Sequence, residues 1–175
     1  GVAPDNVAAG ILSIGEYISV TLFSAMLSAR GIANRVIDPV KYVLAEGDYL
    51  DSIADVSLSK ARFSDVPTDG SEFLVMPGFV AVNEAGEKVT LGRNGSDYSA
   101  AILAACIDAS CCEIWTDVDG VYNADPNQVE GAVLLDKLTY QEAMELSYFG
   151  AKVLHPKTIG PIAQHHIPCL IRNTL

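Results

Sequence analysis

A chain of 175 residues can bury a sizeable core, and with half of those residues hydrophobic it is not a disordered polymer. Eleven Lys and Arg against 22 Asp and Glu give a net charge of −11, a field that repels phosphate backbones and argues against a nucleic-acid partner. Apolar residues come in short blocks, none expected to reach the ~18–20 residues that cross a bilayer, and the start Gly1-Val2-Ala3-Pro4-Asp5 has no cationic segment before an apolar one.

In chain order, the first periodic segment is 16–30, with Ile18, Val20, Leu22, Phe23, Ala25, Met26 and Leu27 on a broad apolar surface and Gly31 as a C-terminal stop. Residues 34–38 read as a short strand closed by Pro39. Residues 46–71 are polar and are expected to be the least regular part, with a short helix around 59–63. The character changes at Glu72. Strands are predicted at 72–76, 79–82 and 88–91, the last two joined by the hairpin signal Asn83-Glu-Ala-Gly86. A long apolar helix follows from about 96 to 109, then a strand over 112–116 and a polar loop over 117–131. A helix is predicted over 140–149, another opens at His155-Pro156, and a strand over 168–172 closes the chain. Helices alternating with strands predict an α/β sheet covered on both faces.

The four cysteines, Cys106, Cys111, Cys112 and Cys169, lack zinc-site spacing and read as small hydrophobes in a reduced compartment. His165-His166 reads as a helix-end pair, and no metal-ligating set is expected.

Three segments carry candidate chemistry. In Thr90-Leu-Gly-Arg-Asn-Gly-Ser-Asp-Tyr-Ser-Ala100 a strand runs into two glycines and then a helix start. Unpaired N–H groups there suit a carboxylate or phosphate, and Arg93 adds a planar fork able to grip a carboxylate. A tight turn capped by Ser96 or Asp97 explains the same pattern without a ligand. In Trp115-Thr-Asp-Val-Asp-Gly-Val-Tyr-Asn-Ala-Asp-Pro126 polar side chains crowd the C-terminal end of a strand, where open α/β sheets bind ligands. Thr116 and Asp117 could bond a ribose or base, whereas Asp119 and Asp125 fit turn chemistry at least as well. In Phe149-Gly-Ala-Lys-Val-Leu-His-Pro156, Lys152 is either solvated surface or a cation for an anionic ligand.

Together these three ordered motifs resemble the aspartate kinases of the amino-acid kinase superfamily. The adjoining 140–149 and 167–173 look most like the kinase domain of bifunctional aspartokinase–homoserine dehydrogenases. The resemblance implies a three-layer αβα sandwich of the carbamate kinase-like fold. It divides the chain into the end of the N-terminal lobe (1–71) and an ATP-binding lobe (72–175), with no ACT or dehydrogenase domain. It also implies Mg²⁺·ATP-dependent phosphorylation of the L-aspartate side-chain carboxylate to 4-phospho-L-aspartate, the first step towards lysine, threonine and methionine. By that resemblance Glu16 holds the α-ammonium, and Arg93 grips the α-carboxylate with Asn94, Gly95 and Ser96 assisting. Asp97 serves with Arg93 around the reacting groups, while Thr116, Asp117, Tyr122, Asn127, Lys152 and Val153 hold ATP. A cytoplasmic protein is implied, with no membrane partner and a homo-oligomeric parent.

Two departures from the family pattern stand out. Where many relatives have Asp-Pro-Arg, this chain has Asp125-Pro126-Asn127, which removes a charge from the expected phosphate contact. The Lys-Phe-Gly-Gly-[Ser/Thr]-Ser phosphate loop does not occur in the 175 residues, so little phosphoryl transfer is expected of this stretch alone. An acetylglutamate kinase-like or uridylate kinase-like enzyme, or a catalytically silent metabolite-binding module, are the alternatives.

Overall fold

In the computed structural model, residues 3–124, 128–149 and 154–175 are described below. The chain forms two compact units, Gly1–Ser99 and Ala100–Leu175.

The first unit begins with two helices, α1 (Asp5–Leu12) and α2 (Ile14–Ala29), separated at Ser13. Ser13 is fully buried and its hydroxyl donates to the Gly10 carbonyl at 2.7 Å. The pair is only half legible in the sequence: no helix is predicted before Glu16, and against the expectation of short apolar blocks the run Asp5–Ala29 meets the length and composition of a membrane span. Glu16 interrupts that run in the first turn of α2, where the helix dipole favours a carboxylate.

β1 (Asn34–Val36) leads to α3 (Pro39–Tyr42). Pro39 was expected to end a strand; it instead occupies the first turn of α3, where its missing N–H costs nothing. Asp38 caps that helix by accepting from the Val40 N–H at 3.2 Å, and also accepts the Tyr17 hydroxyl at 2.8 Å. The polar stretch expected to be least regular contains an antiparallel hairpin, β2 (Ala45–Asp48) and β3 (Asp51–Ala54), then α4 (Val56–Arg62). Only alternate residues of the hairpin face inwards, and the inward ones, Ala45, Ser52 and Ala54, are small; a hydropathy pattern carries little trace of such a strand. Asp55 caps α4 through the Leu58 N–H, and buried Ser59 accepts from the Leu44 N–H at 3.0 Å, pinning helix to strand.

β4 (Phe73–Val75) pairs parallel with β1, while β5 (Val80–Val82) and β6 (Lys88–Thr90) form the hairpin predicted from Asn83–Gly86. The pairing of β4 with β1 is why the compact first unit continues past residue 72, where the composition changes, to Ser99. Its core comprises Val43, Leu44, Val80, Ala81, Val82, Val89 and Leu91. α5 (Gly95–Cys106) carries the chain across the boundary between the units.

In the second unit β7 (Cys112–Thr116) pairs parallel with β8 (Cys169–Asn173), in register from Cys112–Cys169 to Thr116–Asn173. α6 (Tyr140–Phe149) and α7 (Pro156–Gln164) lie between them in sequence. The Tyr140 hydroxyl donates to the Ile167 carbonyl, tying α6 to the approach to β8. Ile114, Ile159, Ile162 and Ile167 are buried. An α/β alternation is therefore what the chain adopts.

Candidate functional site

The turn that joins β6 to α5 is built by close approaches that only glycine permits. Gly92 has φ +74°, and a Cβ placed on it would lie 1.9 Å from Asp51 Oδ1. A Cβ on Gly95 would lie 2.6 Å from a Phe79 ring carbon and 3.3 Å from the Phe79 Cα. Between them Asn94 also adopts a positive φ of 55°. Arg93, Asn94 and Ser96 are exposed on this turn, whereas Gly95 is buried under it.

Opposite the turn lies a second one that the sequence marked only as a Pro-Gly break. Phe79 takes φ 67°, uncommon for a bulky residue and a sign of local strain. Two bonds hold it there: its N–H donates to Ser99 Oγ at 2.8 Å, and its carbonyl accepts the Leu91 N–H at 2.9 Å. Ser99 Oγ in turn donates to the Gly95 carbonyl at 2.7 Å. Gly78 is the point of convergence. A Cβ there would meet the Ser96 Cα at 3.1 Å, Ser96 Cβ at 3.2 Å and Glu16 Oε2 at 3.9 Å. Glu16 from α2 and Ser96 from α5, about eighty residues apart in the chain, thus flank the same glycine. The roles of Gly78, Phe79 and Ser99 escaped the sequence reading; Pro77-Gly78 was the one signal available.

Asp97, half-buried in the first turn of α5, has its carboxyl pushed above the ordinary range by burial, and a hydrogen bond involving Asn94 pulls it partly back. A carboxylate whose charge is under-solvated gains from a nearby cation. The first unit therefore presents the exposed Arg93 guanidinium, the helix N–H groups of Ser96 and Asp97, and two acids, Glu16 and Asp97, while the Gly95 N–H is used within the turn, donating to the Gly92 carbonyl at 3.2 Å.

A shallow apolar groove lies elsewhere in this unit, along α2, lined by Ile14, Tyr17, Ile18, Thr21, Leu22 and Lys88. The Lys88 ammonium sits 4.4 Å from the Tyr17 ring centre. Burial first, then the hydrogen bond to Asp38, push the Tyr17 hydroxyl well above its ordinary value. None of the predicted site residues lines that groove.

In the second unit the C-terminal ends of β7 and β8 carry the other cluster. The Thr174 N–H and hydroxyl both donate to the Thr116 carbonyl, at 2.9 and 3.0 Å. The Thr116 hydroxyl donates to Asp117 Oδ1 at 3.1 Å, and Asp117 is exposed. Asp119 accepts Asn173 Nδ2 at 2.7 Å and the Tyr122 hydroxyl at 3.4 Å, so it organises the loop. Tyr122 forms a bridge with Leu134, and the Asn123 N–H donates to the Val133 carbonyl, which sets 121–123 beside 133–135. Thr116, Asp117 and Tyr122 are thereby gathered at one end of the parallel pair. Asn127, Lys152 and Val153 lie outside the described residues. Among the described residues no group of three or more His, Cys, Asp or Glu side chains is arranged to hold a metal ion.

An alternating α/β chain with a glycine-built turn before α5 and a polar end to β7 and β8 is found among known proteins, and comparison assigns its class. The chain belongs to the amino acid kinase family, whose profile matches residues 3–173. Within it the chain is 56% identical over 172 residues to the bifunctional aspartokinase/homoserine dehydrogenase of Buchnera aphidicola, covering 98% of this chain and 21% of that protein. It is 53% identical over 174 residues to the Haemophilus influenzae protein of the same name, covering 99% and 21%. It thus spans about a fifth of the length of these curated relatives. Escherichia coli aspartokinase III, solved with aspartate and ADP, matches with a TM-score of 0.91 at 32% identity, over 98% of this chain and 39% of that one. The uridylate kinase of Archaeoglobus fulgidus, at 22% identity and a TM-score of 0.57, shares the fold. These likenesses give the chain the amino-acid kinase fold.

Proposed function

We propose that this chain carries the acceptor and nucleotide determinants of an aspartate kinase, which transfers a phosphoryl group from ATP to the side-chain carboxylate of L-aspartate. The observation that carries this reading is the convergence of Glu16 and Ser96 at Gly78, beside the Arg93 turn. An α-amino acid needs a cation for its carboxylate and an anion for its ammonium a few ångströms away; Arg93 and Glu16 are that pair. The similarity to an aspartokinase solved with aspartate and ADP supports it.

The chemistry asks little covalent work of the protein. A carboxylate is already ionised at neutral pH, so its oxygen attacks the γ-phosphorus without a general base, and the bond to the bridging oxygen of the departing ADP breaks. The residues act by positioning and by neutralising charge. Arg93 with the Ser96 hydroxyl and the Ser96 and Asp97 amides fixes the α-carboxylate, Glu16 the ammonium, and Asp97 orients groups around the transferring phosphate. Thr116, Asp117 and Tyr122 hold the nucleoside, with Asn127, Lys152 and Val153 completing the ATP contacts. Mg²⁺ would neutralise the phosphates, and Asp97, with its under-solvated charge, is the described carboxylate best suited to face it. On this reading 1–71 is the end of the N-terminal lobe and 72–175 the ATP-binding lobe, the latter also carrying the acceptor turn at Arg93. The parent is a cytoplasmic homo-oligomer that binds neither nucleic acid nor membrane.

The test is product identity. Incubation of the whole parent protein with Mg²⁺·ATP and L-aspartate, N-acetylglutamate or UMP, followed by hydroxylamine trapping, should give aspartyl hydroxamate alone, with little product from the 175 residues by themselves; hydroxamate from acetylglutamate instead would replace the assignment. In calorimetry Arg93→Ala should weaken L-aspartate binding by about a hundredfold while leaving ATP affinity within about twofold.

A further inference from the structure

Asp51 lies outside every motif that resembles the family, yet its carboxylate occupies the space where a side chain at Gly92 would begin. Its Oδ1 is 1.9 Å and its Cγ 2.9 Å from the position a Gly92 Cβ would take. The contact is mutual: Gly92 can hold its place only without a side chain, and the face of Gly92 on that side is closed by Asp51.

The hairpin that carries Asp51 is fixed to both sides of the same turn. Before the turn, the Thr90 N–H donates to the Tyr49 carbonyl at 2.8 Å, and the fully buried Thr90 hydroxyl donates to the Leu50 carbonyl at 3.0 Å. After the turn, the buried Tyr98 hydroxyl accepts the Ala54 N–H at 3.2 Å. At the hairpin tip the Tyr49 hydroxyl donates to Glu87 at 2.5 Å, and Asn83 Nδ2 donates to the same Glu87 oxygen at 3.1 Å. Tyr49, Leu50, Asp51 and Ala54 therefore grip the chain at 87, 90, 92 and 98, a rail along the whole approach to and exit from Arg93. Asp51 supplies the contact at the turn itself.

We propose that Asp51 is a positioning residue for the acceptor turn: its side chain is a wedge, acting by shape, that fixes the Gly92 backbone and through it the direction of Arg93. This rests on the reading of the turn as the L-aspartate site. It adds a specificity element on a hairpin whose composition announces nothing. The property used is the shape of the side chain, because its Oδ1 and Cγ fill the position where a Gly92 Cβ would begin.

Two measurements test it. In calorimetry on the full chain, Asp51→Ala should weaken L-aspartate binding about tenfold, as a small displacement of a gripping group does. The isosteric Asp51→Asn should stay within about twofold of wild type, with urea midpoints of both variants recorded alongside. An Asp51→Ala affinity within twofold of wild type overturns the proposal, as does an Asp51→Asn variant as weak as Asp51→Ala, which would assign the role to charge. The second measurement is independent of any ligand. The reduction in the folding equilibrium constant caused by Gly92→Ala should be at least about tenfold smaller in an Asp51→Ala background, because the clashing atoms are gone and only the positive-φ strain remains. Additive effects overturn the wedge. If the wild-type chain binds no L-aspartate, the functional assignment fails, and the Gly92–Asp51 cycle alone decides whether the wedge exists.

Discussion

Asp97 shows how one residue can be placed for function at a cost to the fold. Burial raises its carboxyl, so the folded state holds that proton more tightly than the unfolded chain. This contribution is fully present below the ordinary value of 3.8 and is lost as pH rises through the raised folded value. Asp97→Asn should flatten the fall in stability across that window, measured by urea unfolding at several pH values, and in the whole parent protein should lower phosphoryl transfer by about a hundredfold. A steeper fall in the variant would reverse the sign and refute the assignment. Gly95 is the complementary case. Ala there would press its Cβ onto the Phe79 ring at 2.6 Å and backbone at 3.3 Å, and overpacking of this kind costs about 1–3 kcal/mol. The urea midpoint of Gly95→Ala should fall accordingly. Arg93 and Ser96 were legible as part of a tight glycine turn before a helix from residue type and spacing. Gly78 was not, since its importance comes from Ser96 and Glu16 meeting around it.

Elements are fixed by caps and by what they bury. Asp38 serves two of them, capping α3 and accepting the Tyr17 hydroxyl from α2. Asp38→Ala should therefore cost more than an isolated cap, about 2 kcal/mol in urea unfolding, against about 1 kcal/mol for Tyr17→Phe, which breaks only the second bond. α7 carries the opposite situation. Its Thr158 hydroxyl is fully buried, and among the described residues it finds no hydrogen-bond partner. A buried unsatisfied hydroxyl costs about 1–3 kcal/mol, so Thr158→Val, nearly isosteric, should raise the unfolding midpoint. Helices α6 and α7 and strand β7 were legible because their apolar periods and Pro or Gly stops are strong. β2 and β3 were not, because their inward residues are small and one is a serine.

At the scale of the whole molecule the charge of −11 opposes both proposed ligands, which are anions. Approach of ATP should accordingly speed up as salt screens the general repulsion, with the association rate in stopped flow rising several-fold between about 0.02 and 0.2 M ionic strength. A rate that falls over that range would mean that local cations dominate the approach.

Three ordered motifs and the alternation of periods determined, from sequence by itself, an α/β chain of the amino acid kinase family, with Arg93, Ser96, Thr116 and Asp117 as candidate site residues. Those signals are local: a glycine turn, a helix start and a strand end are each written within ten residues. Only the tertiary structure decided that Glu16 and Ser96 share Gly78, that Phe79 is held at positive φ by Ser99, and that Asp51 closes on Gly92. Each of these joins residues about 20 to 80 positions apart, and such contacts come from packing, which no single segment encodes.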